Sequence, residues 1–251
     1  MIPLTLEQLA ELRTWFLPEK PGPLVGLHVL NTGHGRAFAD RWPAPQVLYV
    51  DIAGNGAVLG EPDAVTPAAL RTVARGFIDA RPEFAPLLKR AFPDLIVWPR
   101  LIYTQPAPPR QRLEAPPDFT VRRLQEDDAP ALAAISHAIN WIAKTWKTPR
   151  ALAAGGMAWG AFAGHRLVAV ANTFFLGDRY EDVGVVTEPD YRSQGLSAAC
   201  VAGLCADIHG RGHIPSWSTS HDNRASQRVA GKAGFQHVRD SVIYVADSAV
   251  P

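Results

Sequence analysis

The segment Val185-Val186-Thr187-Glu188-Pro189-Asp190-Tyr191-Arg192-Ser193-Gln194-Gly195-Leu196-Ser197 constrains this chain more than any other. Its β-branched start reads as a strand, Pro189 ends that strand, and a polar turn leads into a helix opening at Gly195. Beyond it, Leu196, Cys200, Leu204 and Ile208 recur every fourth residue and draw one apolar stripe for packing on a sheet. A strand, a glycine turn and a helix N-terminus together make an anion site, because the first-turn N–H groups lack intrahelical partners and the helix dipole is positive there. Gly195 lets phosphate oxygens approach the backbone with no Cβ in the way, and Arg192 adds a permanent positive charge. The pattern predicts a phosphate-bearing ligand.

The residues choose among such ligands. No Gly-Lys-Ser/Thr follows, which removes the loop that grips nucleotide β- and γ-phosphates, and no Gly-x-Gly-x-x-Gly is present here. Arg192-x-x-Gly195-x-Ser197 instead resembles the Arg/Gln-x-x-Gly-x-Gly/Ala signature of the GNAT N-acetyltransferase superfamily, with serine as a small departure at the last position. Thr187-Glu188-Pro189-Asp190-Tyr191-Arg192 is similar to that family's Val-x-Pro-x-Tyr-Arg junction. Asn223-x-x-Ser226-x-x-Val229-x-x-x-x-Gly234-Phe235 is similar to its later Asn-x-x-Ala-x-x-Leu-Tyr-x-x-x-Gly-Phe. Pro215-x-Trp217 ahead of Asn223 and Ser226 resembles a bacterial GNAT subgroup with an additional N-terminal domain.

The resemblance implies a mixed, mostly antiparallel α/β sheet flanked by helices, acetyl-CoA as cosubstrate, and no metal. It places Arg192, Ser193, Gln194, Gly195, Leu196 and Ser197 around the pyrophosphate. Val185, Val186 and Thr187 would offer main-chain groups to the pantetheine arm, and Asn223 and Ser226 would complete the cofactor contacts. The chemistry needs a neutral amine, and an alkylamine of pKa ~10 is mostly protonated at neutral pH, so a carboxylate is useful. Glu181 matches the family's strand glutamate and shares a face with Val183, Val185 and Thr187, whereas Asp182 points to the other. Trp141 and Trp146 lie in a segment that borders the acceptor in this superfamily. The family tyrosine that protonates the leaving thiolate aligns with Ala230, a departure that leaves the general acid unassigned. His221 beside Asp222 and Asn223 reads as a helix N-cap cluster, and Cys205 with His209 lacks the third ligand a metal needs.

Pro106, Pro108, Pro109, Pro116 and Pro117 mark an extended connector, which divides the chain into residues 1–103, a linker 104–117 and a GNAT domain 118–251. In the last, periodicity gives β-α-α-β-β-β-α-β-α-β, the first helix running from about Glu126 to Ala138. The front part reads as a helix over Leu4 to Phe16, a hairpin about Gly54-Asn55-Gly56, and a helix from Pro67 to Ala80. That order suggests an accessory α/β domain that is either a worn second copy of the same fold without an anion loop or an unrelated α/β cap. Gly33-His34-Gly35 is a plain turn.

A formal net charge of +1 gives no broad field for nucleic acid or membrane. Cys200 and Cys205 share the helix after the anion loop, too far apart to pair. With no leader or long apolar run, these features lead to the expectation of a cytoplasmic protein, monomer or homodimer, acting on a small-molecule amine or peptide acceptor by direct transfer in a ternary complex. The alternative is a non-catalytic acyl-CoA-binding sensor or regulatory protein.

Overall fold

Twelve strands among the described residues form one sheet, so hydrogen bonding runs without a break from the first part of the chain to the last. The computed structural model describes residues 1–108 and 113–250; part of the proline-rich connector, 109–112, lies outside them. The front half runs β1 (Ile2–Leu4), α1 (Leu6–Glu11), α2 (Val25–Thr32), β2 (Arg36–Ala39), β3 (Val47–Ile52), β4 (Asn55–Gly60), α3 (Pro67–Arg71), β5 (Gly76–Ala80), α4 (Ala85–Ala91) and β6 (Ile96–Thr104). The back half repeats that order: β7 (Phe119–Arg123), α5 (Ala129–Ala133), α6 (Pro149–Ala154), β8 (Ala158–Ala163), β9 (Arg166–Leu176), β10 (Tyr180–Thr187), α7 (Leu196–Gly210), β11 (Ile214–Ser220), α8 (Arg224–Lys232) and β12 (Gln236–Ala246).

The strand order is β1-β2-β3-β4-β5-β12-β6-β11-β10-β9-β8-β7. Pairing repeats with the elements: antiparallel along each meander, parallel at β4·β5 and at β10·β11. The two halves exchange their last strands. β12 pairs with β5 of the front half, β6 pairs with β11 of the back half, and β6 and β12 pair with each other. The worn second copy is thus visible in the topology, and neither half completes its own sheet.

Helices cover both faces. α7 buries Leu196, Cys200, Leu204 and Ile208 as the spacing predicts, against Val183, Ala169 and Trp217. α5 and α6 cover the opposite face through Leu132, Leu152, Val170 and Val186. The same two layers recur in the front half: α3 and α4 pack over Tyr49 and Ile78, and α2 over Leu48 and Val50. Polar contacts lock the halves together. The Glu19 carboxylate accepts the N–H groups of Asp178, Arg179 and Tyr180 at the β9–β10 turn. His28 of α2 accepts from Leu176 N at 2.9 Å through Nδ1, so its Nε2 donates to Thr145 O at 2.9 Å. Burial pushes that imidazole down to about 4, so it is neutral at pH 7.

Three element expectations are corrected. Residues 67–80 are not one helix: α3 ends after Arg71, Gly76 at φ 74° turns the chain, and β5 follows. Only Leu6–Glu11 and a 3-10 turn form between Leu4 and Phe16, after edge strand β1. The first back-half helix stops at Ala133, and Ser136 N donates to Glu188 Oε1 at 2.8 Å instead of extending it. The hairpin is present, with its two-residue turn at Ala53-Gly54, both at positive φ. Among the described residues no helix is long and apolar enough to cross a membrane.

Candidate active site

β10 and β11 run parallel but stay hydrogen-bonded only at Tyr180/Ile214, Glu181/Pro215 and Asp182/Ser216. Beyond that point β11 follows β6 through Ser220, and β10 follows β9 through Thr187. A wedge therefore opens toward the carboxyl ends of two parallel strands, the place where α/β sheets take ligands. Within it, the main chain of Val183 to Thr187 has no ladder partner on its β11 side.

α7 starts at the mouth of the wedge. Ser193 at φ 64° and Gly195 at φ 82° turn the chain into the helix, and no side chain caps its N-terminus. A Cβ built on Gly195 meets nothing within 4 Å, so the space above the loop is open for a ligand. Arg192, Ser193, Gln194 and Gly195 are exposed, and Leu196 anchors the turn in the core. Thr187 Oγ1 lies 2.6 Å from Ser197 Oγ, which ties the strand end to the first helical turn. Arg192 folds back, its Nε donating to Thr187 O at 3.4 Å. The front half has no such loop at the corresponding place. Thr66 caps the short α3 by accepting from Ala69 N, and Pro67 removes one N–H.

α8 opens at the same mouth, beyond the split in β11. Asn223 Oδ1 accepts Ser226 N at 2.9 Å, and Trp217 Nε1 donates to Ser226 Oγ at 3.0 Å. Ala230 is fully enclosed in the cluster with Trp217 and Phe235, and holds no group that could reach a thiolate.

The two adjacent carboxylates of β10 have opposite surroundings. Glu181 lies on the α7 face with no exposure. Its oxygens accept from Arg211 at 2.9 and 2.7 Å and from the Thr173 hydroxyl, and His213 Nδ1 lies 2.9 Å away. Asp182 points to the other face, where Ser216 Oγ donates to Oδ1 at 3.1 Å. Burial raises its pKa to about 7, against the Ser216 bond and the Arg100 charge, which oppose the rise. Along the same face of β11 comes Ser218, which accepts from Arg100 Nε at its hydroxyl and from Nη2 at its carbonyl, at 3.2 and 3.0 Å. Arg100 stacks on Trp98 at 4.1 Å.

The structure thus gathers Val185, Val186, Thr187 and Arg192–Ser197 with the start of α8 around one wedge. It separates the two tryptophans. Trp141 is exposed and edge-on to Phe174 of β9. Trp146 is buried, its Nε1 donating to Thr173 O at 2.6 Å and its ring edge-on to His28. Arg100 was not singled out from the sequence, and Asp182 only as the carboxylate on the other face. Serine at 216, 218 and 220, alternating with Trp217 and Thr219, was the available signal for a polar sheet face. Cys205 is buried, and His209 Nε2 lies 2.9 Å from Gln105 Oε1. Among the described residues no group of three His, Cys, Asp or Glu is placed to hold a metal.

The family model for GNAT acetyltransferases matches residues 24–244. The chain belongs to the GNAT acetyltransferase family. That makes it an acetyl-CoA-dependent N-acetyltransferase by class. It is 40% identical over 221 residues to an uncharacterized N-acetyltransferase of Streptomyces virginiae, covering 85% of this chain and 90% of that one. A second relative, from Bacillus subtilis, is 28% identical over 141 residues, 56% of this chain and 53% of the relative. A GCN5-related N-acetyltransferase-like protein from Streptococcus suis superposes with TM-score 0.75 at 17% identity, covering 96% of this chain and 99% of its own. A tandem GNAT protein from the clavulanic acid biosynthesis pathway superposes with TM-score 0.57 at 12% identity, covering 97% and 96%. These two show the fold, and the second agrees with the duplicated halves seen here.

Proposed function

We propose that this GNAT protein transfers acetyl from acetyl-CoA directly to an amine, with the diphosphate on the Arg192–Ser197 loop and the pantetheine arm along Val185 to Thr187. The observation that carries this reading is the wedge between β10 and β11, with the open, uncapped N-terminus of α7 at its mouth. The unpaired β10 main chain offers strand-like hydrogen bonds to the amide groups of pantetheine. Asn223 and Ser226 bond within the protein, so α8 acts chiefly through its placement at the mouth.

Asp182, not Glu181, takes the proton in this reading. Glu181 is held by Arg211, and a carboxylate with its oxygens engaged and no exposure serves the fold. Asp182 faces away from α7, toward the sheet side that α5 and α6 cover, and a carboxylate near pKa 7 is matched to base catalysis at neutral pH. The amine nitrogen attacks the thioester carbonyl, the C–N bond forms, and negative charge gathers on oxygen. The C–S bond then breaks, coenzyme A leaves as thiolate, and the ammonium proton passes to Asp182 directly or through water. Coenzyme A is a fairly good leaving group, which suits a site with Ala230 where the family carries tyrosine.

Calorimetric titration with acetyl-CoA tests the cofactor site. Gly195→Asp puts a Cβ and a negative charge into the diphosphate space, and binding should disappear while the fold remains. Unchanged affinity in folded Gly195→Asp protein would refute the site. A free-thiol assay over a panel of amines tests the chemistry. Tight binding with no thiol release for any amine would favour the sensor reading that Ala230 leaves open.

A further inference from the structure

The side of the sheet that carries Asp182 also holds a cation with no ion pair among the described residues. Arg100 is half-buried on β6, the strand contributed by the front half, between Ser220 of β11 and Ser241 of β12 by register. Its named partners are neutral: Ser218 through oxygen atoms and Trp98 through its ring. It makes no ion pair among the described residues, although Asp182 and Asp222 lie near enough to act on its charge. Desolvation outweighs them and lowers its pKa to about 10, so the guanidinium is under-compensated where it sits. Buried charges in proteins are paired, and a planar guanidinium with a free edge is shaped for a carboxylate. Nε and Nη2 are used on Ser218, and Nη1 makes no hydrogen bond among the described residues.

Geometry links this cation to the proposed base. Ser216 bonds Asp182 and Ser218 bonds Arg100, and the two serines lie two residues apart on one strand, on one face. Their separation is on the order of 7 Å at roughly 3.3 Å per residue. A positive and a negative side chain on the two strands that flank β11, each bonded to one of these serines, form a complement to a small zwitterion.

We propose that the acceptor is a small molecule carrying both an amine and a carboxylate, the carboxylate seated on Arg100 while the amine faces Asp182. The inference rests on the transferase reading above. It gives the front half a part in specificity, because β6 precedes the connector yet lies beside β11.

The test uses the full chain, acetyl-CoA and a thiol-release assay over α-, β- and ω-amino acids, their carboxamides, and simple alkylamines. At least one amino acid should be acetylated, with kcat/KM roughly 10²–10³-fold above its own carboxamide, the scale of a desolvated charge pair. Arg100→Gln should erase that preference through KM, and Arg100→Lys should recover part of it. Acetyl-CoA affinity by calorimetry should be unchanged in both, which separates loss of the acceptor site from loss of the fold. Turnover of alkylamines or carboxamides at rates equal to the acids would overturn the carboxylate site and leave the transferase reading standing. So would a preference for acids that survives in Arg100→Gln. Failure of acetyl-CoA to bind the wild type would instead remove the reading beneath both.

Discussion

Replacing Asp182 by asparagine should stabilise the protein and disable it at once. A carboxyl group moved from 3.8 in the unfolded chain to about 7 in the folded one binds its proton more tightly when folded. Stability therefore falls as pH rises through that interval: the penalty is absent below pH ~4 and complete above pH ~7. At 1.36 kcal/mol for each pH unit, the interval amounts to about 4 kcal/mol. Asparagine keeps the shape and a polar contact for Ser216 but never ionises. At pH 5 the two proteins should differ by only about 1.7 kcal/mol, because the carboxyl is still protonated in the folded protein although already ionised in the unfolded chain. At pH 8 Asp182→Asn should be more stable by about 4 kcal/mol, or roughly 10 °C in midpoint for a chain of this size. Urea denaturation at pH 5, 6, 7 and 8 measures the difference. Other groups titrate in the same range, and two of them show the opposite signs. Asp79, raised to about 6 by burial, also loses stability as pH rises, and His28, lowered to about 4, loses it as pH falls. Both are present in either protein and cancel in the comparison. In parallel, kcat should drop roughly 10²–10⁴-fold, and the wild-type kcat/KM should show an acidic limb near pH 7 that the variant lacks. A stability difference that does not change between pH 5 and 8 would show that Asp182 is not the desolvated carboxyl described here.

Three further outcomes follow from the same contacts. Glu181→Gln leaves Arg211 facing a neutral group in a buried site and should cost about 3 kcal/mol in urea denaturation, with acetyl-CoA affinity unaltered; a neutral effect on stability would return Glu181 to the chemistry. Ala230→Tyr should destabilise by at least 1–3 kcal/mol through overpacking beside Trp217, with no gain in thiol release. A fragment 118–251 should precipitate, because it lacks β6 and leaves β11 and β12 unpaired, whereas 96–251 retains that strand and should stay in solution and bind acetyl-CoA; equal behaviour of the two fragments would show that β6 is dispensable.

The back half was legible because its local signals and its packing agree. Val185 to Thr187, Pro189 and the stripe from Leu196 to Ile208 each specify one conformation, and the sheet buries the stripe they draw. The front half was not, because its elements are short and their identity comes from pairing. Ala68 to Ala74 has helix-forming composition, yet Gly76 and the parallel contact with β4 turn residues 76–80 into a strand. Strand β6 was unread for a similar reason: Pro99 interrupts Ile96 to Thr104, and only its position between β11 and β12 makes it a strand. The carboxylates show the same limit at the site. Alternation correctly put Glu181 and Asp182 on opposite faces, but nothing local says that Arg211, thirty residues on, takes Glu181.

The exchange of last strands connects these facts. A single meander ending at β11 would leave that strand with an open edge opposite the wedge. β6 covers the edge on one side and so frees β11 to part from β10 on the other. The strand that performs this service arrives from the front half, and it brings Arg100 to the acceptor face as it does so. A front half without an anion loop thus still supports the back half: its helix α2 holds the β9 end through His28, and its last strand covers the outer edge of β11.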